Sequence, residues 1–156
     1  SMRDESRRTS SSTELKSYSE LLDKADDWHR KGELQQAWEC LQKAGKLDDS
    51  DSELLKATAH LAYQLQYWDE SVQFLNKLLS RDSKDVPSLI LRASSELKME
   101  CYESAQESID QARAILPDDR DVLMMAGEIH QEKKEYSRSE ERRVGKECRS
   151  RWSLEH

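Results

Sequence analysis

At 156 residues the chain is long enough for one ordinary domain of about 100–200 residues. With 37% charged against 35% apolar residues, it is poor in material for a single central core. The net charge of −7 argues against nucleic acid, whose phosphates are gripped by cationic surface, and no run of about 18 apolar residues is present to span a membrane.

Two prolines, four glycines and few β-branched runs point to an almost wholly helical chain. Cys40, Cys101 and Cys148 are odd in number and sit at spacings that suggest no disulfide framework. With no apolar leader at the N-terminus, the expectation is a reducing intracellular compartment, the cytoplasm, without ruling out the nucleus.

Residues 1–14 are polar and short of apolar groups, so they read as a disordered tail, and the leading Ser-Met resembles the remnant of a cleaved tag. Arg7-Arg8-Thr9-Ser10 matches the R-R-x-S pattern of basophilic kinases, a match short enough to arise often by chance. A first helix is expected to start between Thr13 and Ser17, with Ser17-x-x-Glu20 as a capping box. Leu15, Tyr18, Leu21, Leu22, Ala25 and Trp28 follow at three- and four-residue steps as one apolar stripe, and Lys31-Gly32 ends it. A second helix over about 34–47 carries Leu34, Ala37, Trp38, Leu41 and Ala44, and Ser50-x-x-Glu53 is the next candidate cap.

The pattern then repeats. Leu55, Ala59 and Ala62 line the next first helix, and Trp68, Val72, Leu75 and Leu78 the next second one. In the third copy Asp85 is the expected N-cap, Pro87 falls inside the first turn and Pro117 stops the second helix. A fourth opens with Leu123, Ala126, Gly127 and His130 and reaches Tyr136. Starts at Tyr18, Ser52, Val86 and Arg120 are 34 residues apart, a period of helical arrays in which each repeat buries a seam against its neighbour. Aligned, the repeats give columns: Leu21, Leu55, Leu89 and Leu123 as buried anchors; Ala25, Ala59, Ala93 and Gly127 small; Ala37, Ser71, Ala105 and Ser139 small on the second helices; Leu34, Trp68, Tyr102 and Tyr136 bulky at their start. Alternating sizes at fixed columns are what ridges-into-grooves packing requires.

These columns resemble the tetratricopeptide repeat (TPR) family, whose small-x-x-x-bulky element stands as Ala37/Leu41, Ser71/Leu75 and Ala105/Ile109, and its closing proline as Pro117. Its usual Leu-Gly pair reads Lys24-Ala25, Thr58-Ala59, Arg92-Ala93 and Ala126-Gly127 here, and its usual tyrosine reads Trp28, Ala62, Glu96 and His130. The resemblance implies an all-α helix–turn–helix repeat solenoid of about three and a half repeats over residues 15–137, divided near 18–51, 52–85, 86–119 and 120–137. It also implies a concave face lined by the first helices. There Leu22, Asp26, His29, Lys56, His60, Tyr63, Ile90, Leu97, Lys98 and Met124 are the expected partner-binding residues, with Tyr63 and Leu97 as apolar anchors. TPR domains that hold acidic chaperone C-termini use a basic–Asn clamp. The matching places here, Leu22, Asp26, Ala57, Pro87 and Leu91, cannot grip a carboxylate, so such a partner is not expected.

Beyond Ser139 the columns fail, with Arg143 and Lys146 where earlier repeats are apolar or small, and residues 138–156 hold six Lys/Arg against four Asp/Glu. RSEERRVGKECRSRWS resembles an adaptor- or vector-derived read-through tail, and Leu-Glu-His the start of a histidine-tag junction, so native sequence is expected to end near Ser137. His29 and His60 bring no third ligand at zinc-like spacing, Cys101 has no orienting histidine, and no Gly-rich phosphate loop exists. The reading is a protein-interaction module, an adaptor or scaffold holding a peptide or helix of a partner protein, with no catalysis, metal or cofactor. The alternative is a permanent structural subunit of an assembly. Its oligomeric state is not fixed by the sequence.

Overall fold

A computed structural model describes the backbone of residues 2–140 and the side chains of residues 15–139. Seven helices and no strand are found among them: α1 (Met2–Arg30), α2 (Leu34–Leu47), α3 (Ser52–Gln64), α4 (Trp68–Arg81), α5 (Val86–Lys98), α6 (Tyr102–Ile115) and α7 (Arg120–Glu140). The chain divides into two compact units, Ser1–Leu65 with α1 to α3 and Gln66–His156 with α4 to α7. Among the cysteines, Cys40 is a free thiol and Cys101 is buried, while Cys148 lies outside the described residues. None of the described helices is long and apolar enough to cross a membrane.

The 34-residue period is written into the backbone as well as the side chains. Gly32, Gln66 and Glu100 all have positive φ, at +80°, +66° and +62°. After α1, Gly32 N donates to His29 O (3.0 Å) and Glu33 N to Trp28 O (2.9 Å). After α5, Glu100 N donates to Leu97 O (3.0 Å) and Cys101 N to Glu96 O (2.8 Å). These paired bonds form a left-handed helix stop that satisfies carbonyls otherwise left free at the C-terminus. Helix starts repeat too: the Oδ1 of Asp51 accepts from Glu53 N (3.1 Å) and the Oδ2 of Asp119 from Val122 N (3.1 Å). Asp85 stands at the N-cap position of α5 with Pro87 in the first turn, but its carboxylate accepts from Ser88 Oγ at 3.0 Å and makes no capping bond to a backbone N–H.

In the first unit, Tyr18 and Ala25 of α1 and Ala37, Trp38, Leu41 and Ala44 of α2 are buried, the seam foreseen from the columns. Three expectations fail there. The backbone is helical from Met2, with no glycine or proline before Gly32 to stop it. Ser17 therefore caps nothing, and Leu15 is exposed. The cap of α3 is Asp51 rather than Ser50, and it is also held from α1, because Tyr18 Oη donates to Asp51 Oδ2 at 2.6 Å. Burial, then that bond and the nearby carboxylates, push the Tyr18 phenol far above its ordinary range.

The second unit is built on one apolar cluster: Leu79, Val86, Leu89, Ala93, Leu97, Ala105, Ile109, Ala112, Val122 and Ile129. Val72, Met99 and Cys101 form a smaller cluster with Trp68 against it, so Cys101 fills the turn between α5 and α6. A polar network crosses the α5 seam. Ser108 Oγ donates to Glu96 Oε1 (2.6 Å), Arg92 Nε to Ser108 Oγ (2.9 Å) and Arg92 Nη1 to Asn76 Oδ1 (3.0 Å). Ser95 Oγ donates to Ser71 Oγ at 3.3 Å. Glu96 is only 6% exposed, and its burial pushes the carboxyl pKa up, against the downward pull of the Ser108 bond and of Arg92.

The fourth repeat departs from the expected plan. No turn interrupts α7 at Lys134, the place equivalent to Gly32, Gln66 and Glu100, and the helix runs on to Glu140. Tyr136 and Ser139 therefore belong to α7 instead of opening a second helix, and the Tyr136 ring lies 4.6 Å from that of Tyr102. Leu123, in the column where Leu55 and Leu89 are almost fully buried, is 45% exposed, while Val122 and Ile129 supply the buried face. A left-handed residue other than glycine costs about 1–2 kcal/mol, which repeats two and three offset by burying an apolar second helix. The sequence that would form the fourth second helix has Arg143 and Lys146 at the seam positions, so no such burial favours turning.

Candidate functional site

The candidate site lies in the first unit, where α1 and α3 stand side by side over α2. An open cleft of about 530 Å³ is lined by Ser19, Leu22, Asp23, Ala25, Asp26, His29, Ala37, Leu41, Glu53, Ala57, His60, Leu61 and Gln64. Its floor is apolar, because Ala25, Ala37 and Leu41 are seam residues whose edges reach through between the helices. Its rim is polar. His29 Nε2 meets Gln64 Oε1 at 2.8 Å, joining the last turns of α1 and α3. Arg30 pairs with Asp26 at 2.6 Å along α1. His60 Nδ1 lies 2.8 Å from the carbonyl of Lys56; a carbonyl can only accept, so Nδ1 donates and Nε2 is the nitrogen left to the cleft.

Of the ten residues expected to bind a partner, Leu22, Asp26, His29 and His60 come together in this cleft. Lys56 and Tyr63 are also on α3, exposed and half-buried respectively, but outside its lining. The others are in the second unit. Lys98 of α5 and Met124 of α7 are exposed, Met124 by 62%, and Ile90 is half-buried against the apolar cluster. Burial first, and then Glu128, push the Glu132 carboxyl upward while Lys98 pulls it down, so these groups share a charged surface.

Leu97 has to be withdrawn from the set. It is 4% exposed and belongs to the cluster that contains Val122 and Ile129, so it holds the unit together and presents nothing to a ligand. The expectation failed because it counted only the seam between paired helices and not the face that α5 turns toward α7. Conversely, Asp23 and Leu61 line the cleft without having been foreseen, and Ala57, named before only as a clamp position that cannot grip a carboxylate, lines it too. The signal for them is helical spacing: Asp23 is three residues from Asp26, Ala57 is three from His60, and Leu61 is four from Ala57.

Among the described residues no group of three or more His, Cys, Asp or Glu side chains could hold a metal ion. No protein-family model matches this sequence, and no curated protein matches it. Solved structures do match in fold. The first TPR of Spaghetti (RPAP3) bound to the HSP90 peptide SRMEEVD aligns with a TM-score of 0.67 at 14% identity, over 76% of this chain and 94% of that one. The TPR2B domain of yeast Sti1, in a pHsp70 complex, aligns with a TM-score of 0.64 at 19% identity, over 74% and 98% of the two chains. The protein MamA aligns with a TM-score of 0.69 at 17% identity, over 80% and 68%. The chain thus has the tetratricopeptide-repeat fold.

Proposed function

We propose that this chain is a protein-interaction module, an adaptor or scaffold that holds a peptide or helix of a partner protein against its first helices, without catalysis. The observation that carries this reading is the α1–α3 cleft, where an apolar floor lies between polar rims, the arrangement that lets a peptide seat side chains while its backbone stays near polar groups. RPAP3 and Sti1 domains of the same fold are seen with chaperone peptides, which supports the general role. An acidic chaperone tail is not the partner we expect, since no Lys or Arg is among the described residues that line the cleft. On this reading Leu22, Asp26, His29 and His60 contact the partner, and Lys56, Tyr63, Ile90, Lys98 and Met124 are further contact positions on the first helices of their repeats.

The test is capture of partner proteins by the chain and by two variants. Ala57→Trp fills the cleft from an exposed position, and Gln73→Trp places the same ring on the exposed surface of α4. The reading requires that a specific partner be lost with Ala57→Trp and kept with Gln73→Trp; the reverse pattern overturns it. A second reading, a permanent subunit of an assembly, is favoured by the apolar surface that Leu123 and Met124 leave open on α7. It predicts self-association of the isolated chain in sedimentation, which Leu123→Glu with Met124→Glu would abolish; a monomer at all concentrations favours the adaptor.

A further inference from the structure

We infer that the occupant of the α1–α3 cleft is a cationic segment, a peptide that sets apolar side chains on the floor and Lys or Arg side chains on the rim. The inference rests on the reading of the cleft as a peptide site and adds the chemistry of what it takes. Three carboxylates line the cleft, Asp23 and Asp26 from α1 and Glu53 from α3, so acidic groups border it on both sides. Only Asp26 is neutralised locally, by Arg30; Asp23 and Glu53 form no ion pair among the described residues.

Beside these groups lie the half-buried Leu22 and the exposed Ala57, which offer apolar surface over the buried Leu61. An anionic peptide would bring like charge against both rims, a juxtaposition that costs affinity and slows encounter. A cationic one is drawn in by the field of the cleft and of the whole chain, whose net charge is −7. Long basic side chains fit such an edge, because their methylene stems can lie on the floor while the charged heads reach the rim.

Two short labelled peptides test this by fluorescence anisotropy on the full chain, one alternating Lys with Leu and one alternating Glu with Leu. The Lys peptide should bind more tightly by about tenfold or more, with an affinity that falls as salt is raised. Reversing the rim, Asp23→Lys with Glu53→Lys, should abolish or invert the preference. Reversing two exposed carboxylates of the second unit, Asp110→Lys with Asp118→Lys, changes the net charge equally and should leave the preference in place.

Tighter binding of the Glu peptide, no binding of either, or an equal response to both charge reversals overturns the inference. Ala57→Trp separates this failure from failure of the site itself. If it blocks whichever peptide binds, the cleft remains the binding site and only the cationic chemistry is wrong. If binding survives Ala57→Trp, the cleft is not the site and both readings fall.

Discussion

Gly32→Ala and Gln66→Gly should move stability in opposite directions, although both sit at the same place in successive repeats. At Gly32, φ is +80° and an added Cβ would meet nothing within 4 Å, so a methyl group there creates no clash with neighbours. The whole effect is then conformational. An L-residue in the left-handed region costs about 1–2 kcal/mol. Removing glycine's freedom from the unfolded chain returns about 0.4–1 kcal/mol, leaving Gly32→Ala destabilised by roughly 0.5–1.5 kcal/mol.

Gln66 has φ of +66° and an exposed side chain, so Gln66→Gly runs the same account backward and should stabilise by a similar amount. Urea titration followed by helical circular dichroism reads both. With a slope of about 1–3 kcal/mol per molar, the midpoints should separate to either side of the parent by a few tenths of a molar, at unchanged slope. A lower midpoint for Gln66→Gly would show that the turn is held by something other than backbone conformation, and the reasoning would fail.

Other substitutions probe the seams. Leu89→Ala should cost about 2–5 kcal/mol by leaving a cavity, and Ala105→Leu about 1–3 kcal/mol by overpacking, since both residues are fully buried; a neutral Ala105→Leu in denaturant titration would mean the register is wrong. Leu97→Ala should also cost about 2–5 kcal/mol, and a variant as stable as the parent would return Leu97 to the surface. Glu96 binds its proton more tightly in the folded chain than its ordinary value of 4.5. Its contribution to stability is therefore full below that value and is lost as pH rises through the raised one. Glu96→Gln should flatten this part of the stability curve, read as urea midpoints across the acid range, and an unchanged slope would sink the assignment.

The seams were legible because burial there follows strict spacing: Leu55, Leu75, Leu89 and Ile109 fall in fixed columns and are all fully buried. Of the cleft residues, Leu22, Asp26, His29 and His60 followed from repeat position alone. Leu97 was misread because its column holds His29, Tyr63 and Gln131 elsewhere, a mixture that hides a buried face set by a non-adjacent helix. The missing turn in α7 was illegible for a related reason. Gln66 and Glu100 are not turn-forming residues, so nothing local at Lys134 distinguishes a turn from a continuous helix. The decision lies in whether a second helix can be buried.

Arrays built from similar columns face a sorting problem, because an apolar second helix that suits one first helix suits its neighbours nearly as well. The Glu96 network bears on this. Its carboxylate is satisfied by Ser108, and Arg92 beside it reaches both Ser108 and Asn76. In place of Ser108, the other second helices present Cys40 and Phe74, neither of which can give the short hydroxyl bond. A mispaired α2 or α4 would thus bury Glu96 without the Ser108 hydroxyl, at a cost of about 1–3 kcal/mol, since Arg92 stays beside it on α5. The same group that makes this joint expensive therefore identifies α6, and neither α2 nor α4, as the helix that belongs there.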